Sequence, residues 1–221
     1  MNVTCPAFLF RWQAAAGDRY AQPRVGRGSV TAPLAELADD ALMARVGDGD
    51  REAFAMLVRR YCARVIAYAS KVTGSTRLGE EIAQETWLAV WANRARYEGS
   101  GRFLVFVLTI ARNKARNAVA KTAREDPLEP ERDSNPPPGL PQTLDASALA
   151  HLVAAETSDE VRRGLERIAP KLKEALMLRF ADELSYEEMA QILGASESTL
   201  RSRVFHGLRA LALELTTGGA P

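Results

Sequence analysis

The chain has 221 residues and a net charge of +1, because 29 lysines and arginines almost balance 28 aspartates and glutamates. This length allows one or two domains, and the near-neutral charge alone gives no indication of a nucleic-acid partner. The 2 cysteines, Cys5 and Cys62, are too few and too far apart for a disulfide framework or a zinc site, and no apolar run is long enough to span a membrane.

The first helical block is predicted over residues 38–124. Residues 1–37 precede it, and since glycine, proline and arginine occur there without periodicity, we predict a disordered extension. Within the block, a short helix is predicted over residues 39–46. Asp50 is placed to cap a long second helix, which Gly74 ends.

Two more helices complete this block. Ser75 can cap the third, which is predicted over residues 77–95, and a loop over residues 96–101 leads to the fourth, which begins at Arg102. The apolar residues of the fourth helix have the spacing i, i+3, i+4, i+7 that buries one face, namely Phe103, Phe106, Val107 and Ile110. We therefore predict a bundle of helices.

A proline-rich, acidic linker is predicted over residues 125–156, which contain six prolines. Proline interrupts a helix and favours extended chain, so the linker is expected to be flexible. A second helical block follows over residues 157–216, where Pro170 suits the first turn of a helix that continues to Asp182, and residues 217–221 are a tail. No stretch alternates like a strand, so the predicted fold is all-α, with two small helical bundles joined by the linker.

Within the second block, residues 185–211 predict two short helices joined by a tight turn. Ser185 and Glu188 have the spacing of a capping box for the first helix. Gly194 stands where a left-handed C-terminal cap is usual, and Ser196 can cap the second helix. This arrangement is a helix-turn-helix, which makes DNA the first candidate partner.

The second of these helices has two different sides. One side is apolar and predicted to be buried, and it consists of Leu200, Val204, Leu208 and Leu211. The other side lies roughly 115° away at about 100° per residue. It is polar and aromatic, and it consists of Ser198, Arg201, Ser202 and Phe205. A recognition helix in the major groove needs both sides, but an ordinary amphipathic hairpin has the same pattern, so these residues alone leave both interpretations open.

Charge is distributed unevenly along the chain. Residues 102–124 contain no acidic residue, and their basic residues are Arg102, Arg112, Lys114, Arg116, Lys121 and Arg124. Acidic residues are concentrated instead at residues 80–85 and 125–133. This asymmetry indicates one surface for a polyanion and another for a basic protein.

Three stretches together resemble a known family. They are GEEIAQETWLAVW at residues 79–91, FLVFVLTIARNKARN at residues 103–117, and IAPKLKEALMLRFADELSYEEMAQILGASESTLRSRVFHGLRAL at residues 168–211. In order and spacing they resemble extracytoplasmic-function RNA polymerase sigma factors, small members of the sigma-70 superfamily. A single helix-turn-helix occurs in many regulators and is weak evidence, whereas the paired blocks, over roughly residues 38–124 and 157–215, are strong evidence for the resemblance.

The resemblance implies that the first block is sigma region 2, which binds core polymerase and then recognises and melts the −10 element. The residues implied at a basic coiled coil of the largest polymerase subunit are Glu80, Glu81, Gln84, Glu85 and Trp87. The alternative interpretation is that the acidic residues are solvated surface and that the tryptophans belong to the core. For Trp91 we favour the core.

For the −10 element, the resemblance implies a loop and the helix that follows it. Melting requires bases to leave the stack and a single strand to be held, which a glycine-containing loop and basic side chains suit. The implied residues are Tyr97, Arg102, Arg112, Asn113, Lys114, Arg116 and Asn117. Solvated helix surface is the alternative for each basic residue taken singly.

The second block is implied to be region 4, whose recognition helix reads the −35 element. The implied residues are Ser198, Arg201, Ser202, Arg203 and Phe205. An arginine suits a guanine edge and a phenylalanine suits a thymine methyl group, although packing at the helix edge is the alternative for Phe205.

Three departures from the family sequence are visible. His206-Gly207 replaces a usual Arg-Ala, the stretch at residues 198–200 replaces a commoner Gly-Thr-Val, and Phe106 replaces a usual tryptophan. A glycine inside a helix costs about 1 kcal/mol relative to alanine. The lost arginine also weakens one phosphate contact. These changes therefore leave open which −35 sequence the recognition helix prefers.

The resemblance also implies the partners. They are core RNA polymerase, promoter DNA and an anti-sigma factor, and the protein is expected to be cytoplasmic, monomeric when free and not inserted in a membrane. We expect no cofactor, no metal and no catalysis, since no nucleophile–base pattern, metal spacing or phosphate-binding glycine loop is present. An autonomous helix-turn-helix regulator and a sigma-like decoy held by an inhibitor remain alternatives.

Overall fold

The computed structural model describes residues 33–99, 101–125 and 159–217, without the side chains of residues 122–125, 159 and 217. The described residues form eight α-helices and contain no strand, which confirms the all-α prediction. None of these helices is long and apolar enough to cross a membrane. The chain divides into two compact units, Met1–Pro127 and Leu128–Pro221. Most of the predicted extension, linker and tail lies outside the described residues.

The first unit contains four of the helices. They are α1 (Asp39–Gly47), α2 (Arg51–Thr73), α3 (Thr76–Ala92) and α4 (Phe103–Glu125), with short 3₁₀ turns at Leu34–Glu36 and Arg94–Arg96. Their caps follow the sequence: Asp50 accepts hydrogen bonds from the backbone N–H groups of Glu52 and Ala53 at 2.9 and 3.1 Å. Gly74 ends α2 with a φ of 71°, as predicted.

Helix α3 ends three residues earlier than the predicted residue 95. The backbone and side-chain N–H groups of Asn93 both donate to the carbonyl oxygen of Ala89, at 3.0 and 2.9 Å. The guanidinium of Arg94 donates to the carbonyl oxygen of Trp91 at 2.9 Å. These bonds satisfy carbonyl groups that a longer helix would have used, so the chain turns at Asn93.

Aromatic rings fill the core of the first unit. Phe54 meets Trp87 edge-on at a centroid distance of 5.9 Å and meets Trp91 at 5.1 Å. Phe103 lies 6.4 Å from Trp87 and 5.4 Å from Tyr61, measured between ring centroids. Since these rings come from α2, α3 and α4, they join the three long helices of the unit.

Helices α2 and α3 approach each other most closely at a glycine. A Cβ atom on Gly79 would overlap the hydroxyl oxygen of Ser70 and would lie 2.7 Å from its backbone nitrogen and 2.8 Å from its Cα. Gly79 is therefore required by the contact between the two backbones rather than by its own φ angle.

The second unit contains the other four helices. They are α5 (Asp159–Arg167), α6 (Pro170–Leu176), α7 (Tyr186–Leu193) and α8 (Glu197–Thr217), and a π turn at Met177–Ala181 follows α6. Pro170 occupies the first turn of α6, as predicted. The predicted single helix to Asp182 is wrong in detail, because the N–H of Asp182 reaches back five residues to Met177 at 3.1 Å. The wider turn ends α6 and directs the chain into α7.

Helix α8 is contacted by α5, α6 and α7. Its predicted apolar side is confirmed, since Leu200, Val204, Leu208 and Leu211 are all buried. Gly207 is buried as well, and a Cβ atom there would lie 3.0 to 3.3 Å from the side chain of Leu176. The glycine that departs from the family sequence thus lets α6 and α8 pack closely.

Candidate functional site

One exposed side of α3 combines acidic, amide and apolar residues. Glu81, Gln84, Glu85 and Leu88 are all exposed and follow the spacing i, i+3, i+4, i+7, so they lie in one row. We call this row the α3 stripe. Glu80, also exposed, lies beside it. The side chain of Leu88 is 52% exposed, so it adds apolar area to a row that is otherwise polar.

Trp87 does not belong to the α3 stripe, so the prediction that it contacts polymerase is wrong for this structure. It is 0% exposed and packs between the rings of Phe54 and Phe103. Its position on α3 faces α2 and α4, where aromatic burial stabilises the bundle. Trp91 is half-buried.

Leu88 is the residue that the sequence interpretation missed. It was not among the residues predicted to contact polymerase, yet it is exposed one turn after Gln84 and Glu85. Its spacing of seven residues from Glu81 was the available signal, since residues i and i+7 share a helix face.

The exposed flank of α4 carries amide and basic side chains. Asn113, Arg116 and Asn117 are exposed and lie opposite the buried Ala111 and Ala115. We call these three residues the α4 flank. Asparagine amides can donate to and accept from base edges, and arginine suits phosphates. The flank therefore offers the hydrogen-bonding groups that a nucleic-acid strand requires.

The remaining basic residues predicted for the −10 element lie outside this flank. Arg102 and Arg112 are half-buried. The ammonium of Lys114 lies 3.0 Å from a carboxylate oxygen of Glu85, and their side chains are 29% and 62% exposed. The acidic surface of α3 and the basic surface of α4 thus meet at this ion pair instead of lying on separate sides of the unit.

Tyr97 lies in the loop before α4 and faces inward. Its ring is half-buried and meets Phe103 at 6.0 Å and Phe106 at 5.1 Å between centroids. Its hydroxyl group donates to a carboxylate oxygen of Asp40 at 2.7 Å. The tyrosine therefore joins the loop to the aromatic core and to α1.

A second acidic residue fixes the start of α1. Asp39 accepts a hydrogen bond from the guanidinium of Arg60 at 2.7 Å and another from the hydroxyl of Tyr61. Burial of the phenol, followed by its bond to Asp39 and the charge of that carboxylate, raises the pKa of Tyr61 to about 12. The neutral phenol is thus the form that the folded unit stabilises.

This pKa predicts a dependence of stability on alkaline pH. The contribution of Tyr61 is complete below its ordinary pKa of 10.0 and is lost as the pH rises through about 12. Urea unfolding measured across this interval should therefore show the wild type losing stability relative to Tyr61→Phe. The difference in tyrosinate absorbance between the two proteins gives the pKa directly, and a midpoint near the ordinary value would contradict the assignment.

Of the residues of α8 that are predicted to contact the −35 element, four are at least partly exposed and one is buried. Ser198 and Arg201 are exposed, and Arg203 and Phe205 are half-buried. Ser202 is 3% exposed, so the prediction that it touches DNA is wrong for this structure. Because α5, α6 and α7 all contact α8, its buried surface is wider than its apolar side.

Arg201 is held by two neighbours. Its guanidinium lies 4.7 Å from the ring centroid of Tyr186 on α7 and 3.2 Å from a carboxylate oxygen of Glu197 one turn earlier. Arg179 lies 5.4 Å from the same tyrosine ring. Stacking on an aromatic ring limits the rotamers of an arginine, so Arg201 is directed before any ligand binds.

The helix-turn-helix that carries Arg201 is capped as predicted. The hydroxyl of Ser185 accepts from the N–H of Glu188 at 3.2 Å, and the Glu188 carboxylate accepts from the N–H of Ser185 at 2.8 Å. Gly194 has a φ of 61°. The hydroxyl of Ser196 accepts from the N–H of Thr199 at 3.2 Å. The capping box thus fixes the start of α7, and Gly194 and Ser196 fix the turn between α7 and α8.

Comparison with known proteins assigns both units to the same protein family. The family model for Sigma-70 region 2 matches residues 57–125, and that for Sigma-70 region 4 matches residues 158–211. RNA polymerase sigma factor CarQ from Myxococcus xanthus is 31% identical over 170 residues, which cover 76% of this chain and 92% of CarQ. The chain belongs to the extracytoplasmic-function (ECF) group of the sigma-70 family.

Further relatives agree with this assignment. The ECF RNA polymerase sigma-E factor of Escherichia coli strain K12 is 29% identical to this sigma factor over 182 residues, which cover 80% of this chain and 93% of that protein. The sigma factor therefore serves promoter-specific initiation of transcription.

Two solved structures share the fold. CnrH in complex with the cytosolic domain of CnrY has a TM-score of 0.58 at 19% identity, covering 83% of this sigma factor and 100% of that chain. The sigma factor RpoE from Bartonella quintana, in complex with the anti-sigma factor NepR, has a TM-score of 0.57 at 22% identity, covering 74% of this chain and 96% of that one. At these identities the likeness concerns the fold alone.

The surfaces described above fall within the matched regions. The α3 stripe, the α4 flank and Tyr97 lie in the region 2 match, and the residues of α8 that are predicted to read the −35 element lie in the region 4 match. Among the described residues, no group of three or more His, Cys, Asp or Glu side chains is arranged to hold a metal ion.

Proposed function

We propose that this sigma factor binds core RNA polymerase through the α3 stripe, opens the −10 element with the α4 flank and its preceding loop, and reads the −35 element with α8. The observation that carries the proposal is the exposed row of Glu81, Gln84, Glu85 and Leu88 on α3, which the Glu85–Lys114 ion pair joins to α4. One unit thereby presents a protein-binding surface and a strand-binding surface on adjacent helices.

The α3 stripe suits a basic coiled coil. Its glutamates provide long-range attraction and orientation, which act mainly on the rate of association. Leu88 provides apolar area that becomes buried when the partner covers it, and burial of this kind supplies most of the affinity at the centre of an interface.

The α4 flank suits a single strand of DNA. Arg116 can follow the phosphates, which gives affinity without sequence information and a strong dependence on salt. Asn113 and Asn117 can bond to the edges of bases that have left the stack. Lys114 reaches a phosphate only when it leaves Glu85, so its contribution is smaller than its charge alone predicts.

Helix α8 suits the major groove of the −35 element. Arg201 is exposed and directed by Tyr186, and its guanidinium fits the two acceptors of a guanine edge. Phe205, half-buried beside His206 at a centroid distance of 5.5 Å, presents a ring edge that fits a thymine methyl group. Ser198 completes the exposed surface, and Ser202 has no part in it.

We extend the proposal to control and location. The two solved neighbours were each captured with a protein partner, CnrY and the anti-sigma factor NepR, and we propose that an anti-sigma factor likewise holds this protein inactive. In this account the free protein is a cytoplasmic monomer that uses no cofactor and catalyses no reaction of its own.

Replacing Leu88 by alanine tests the proposed core-binding surface. Because the side chain is 52% exposed, its loss should leave thermal stability nearly unchanged. Affinity for core polymerase should fall about tenfold, since a buried leucine side chain contributes roughly 1.5–3 kcal/mol. Fluorescence anisotropy of the labelled full chain against purified core gives both dissociation constants.

Val119→Ala is the matched control for Leu88→Ala. Val119 is 41% exposed on α4 and lies outside the α3 stripe, so its truncation should leave core affinity unchanged. Equal affinities of the wild type and of Leu88→Ala for core polymerase would show that the α3 stripe does not bind core polymerase.

A further inference from the structure

We propose that Asp40, on the first turn of α1, is a positioning residue that holds the loop before α4 in the form that captures the −10 strand. This inference rests on the proposed role of that loop. The match to Sigma-70 region 2 begins at residue 57, so it does not cover Asp40.

The carboxylate of Asp40 accepts one hydrogen bond from each side of the loop. Its Oδ1 accepts from the hydroxyl of Tyr97 at 2.7 Å, and its Oδ2 accepts from the backbone N–H of Gly101 at 2.6 Å. These donors are 57 and 61 residues further along the chain. A single side chain of α1 thus ties both sides of the loop, and bonds to a charged acceptor are the stronger kind.

The loop backbone is shaped to reach this carboxylate. A Cβ atom on Gly99 would lie 3.2 Å from Oδ2 of Asp40, so the absence of a side chain there allows the close approach. Gly101 has a φ of 69°, in the left-handed region that favours glycine. Tyr97 and Gly101 thus donate hydrogen bonds to Asp40, and Gly99 leaves room for its carboxylate.

Helix α1 is a firm support for this carboxylate. Leu42, Met43 and Val46 of α1 are all buried. Asp39, next to Asp40, accepts hydrogen bonds from Arg60 and Tyr61 on α2. Because the core and α2 fix the position of α1, we expect the Asp40 carboxylate to determine the position of the loop, and not the reverse.

Asp40 acts on strand capture through the loop. Both of its carboxylate oxygens are engaged with loop donors, so it makes no contact with DNA in this account. Ordering a loop costs conformational entropy at the moment of binding, and a loop that is already ordered avoids this cost. Loss of Asp40 should therefore weaken capture of the opened strand while leaving core and −35 binding intact.

The test compares Asp40→Ala and Asp40→Asn in the full chain bound to core polymerase. The probe is a promoter fragment, found by run-off transcription with the wild type, that carries 2-aminopurine in its −10 element. Formation of the open complex should fall about tenfold in Asp40→Ala, as expected for lost bonds to a charged group. Asp40→Asn, which keeps one oxygen acceptor, should be intermediate.

Two further variants keep this test decisive. Asp48→Ala removes an exposed carboxylate at the other end of α1 and should behave like the wild type. Tyr97→Phe removes one of the two loop bonds but keeps the ring, so it should reduce 2-aminopurine fluorescence while thermal unfolding and core affinity stay unchanged.

The outcomes separate this inference from the proposed function. If the wild type opens the promoter and Asp40→Ala opens it equally well, Asp40 is not a positioning residue, although the proposed function stands. A parallel loss of stability or core affinity in Asp40→Ala, with Tyr97→Phe fully active, would make Asp40 a structural residue only and overturn the inference. Failure of the wild type to open any promoter would contradict the proposed function itself.

Discussion

Replacing Gly79 by alanine should lower the free energy of unfolding of the first unit by about 3 kcal/mol. The added Cβ would lie 2.7 and 2.8 Å from the backbone nitrogen and Cα of Ser70, and backbone atoms inside two packed helices cannot move aside as a side chain can. Relief requires α2 and α3 to separate, which opens the aromatic core between them. Urea unfolding followed by tryptophan fluorescence measures this effect, because Trp87 and Trp91 both belong to α3.

Two variants locate the cause of this destabilisation. Gly47→Ala introduces the same methyl group at the end of α1, where a Cβ meets nothing within 4 Å, so it should be neutral or slightly stabilising. Ser70→Ala combined with Gly79→Ala removes the hydroxyl oxygen but not the backbone contacts, so it should recover only a small part of the loss. Full recovery in this double variant would show that the hydroxyl, and not the backbone approach, requires a glycine.

Replacing Arg201 by alanine should reduce discrimination at one base pair of the −35 element by roughly tenfold to a hundredfold. A good bidentate contact to a guanine edge contributes about 1–3 kcal/mol of discrimination. The side chain is 62% exposed, so its removal should not unfold the helix-turn-helix. Holoenzyme binding to promoter fragments with each substitution across the −35 element, at one fixed salt concentration, gives the preference position by position.

Arg209→Ala and Arg201→Lys are the matched controls for this prediction. Arg209 is exposed further along α8, so its removal takes away the same charge and should leave base preference unchanged. Arg201→Lys keeps the charge but not the planar fork, so it should retain affinity and lose discrimination. An Arg201→Ala variant with unchanged preference at every position would exclude Arg201 as a base-reading residue.

Local signals made much of the fold predictable from sequence. Asp50, Gly74 and the capping box at Ser185 act within a few residues of the chain, so their residue types are sufficient to place helix ends. The apolar side of α8 was equally visible because its period matches the helix. The end of α3 was missed because the side chains of Asn93 and Arg94 satisfy its last carbonyl groups.

Contacts between distant parts of the chain were not predictable in the same way. Trp87 and Leu88 are adjacent apolar residues, and only the packing of α2 and α4 decides that one is buried and the other exposed. Ser202 is polar and was expected on the surface, yet the helices around α8 bury it. The bond between Asp40 and Tyr97 joins residues 57 positions apart, and no sequence period connects them.

Run-off transcription with purified core polymerase tests the central claim most directly. The template is sheared genomic DNA from the source organism, and the reaction is run with and without the full chain. We predict discrete new transcripts that depend on the protein and that weaken with Leu88→Ala and with Arg201→Ala. The absence of any new transcript, together with no measurable binding to core polymerase, would contradict the account.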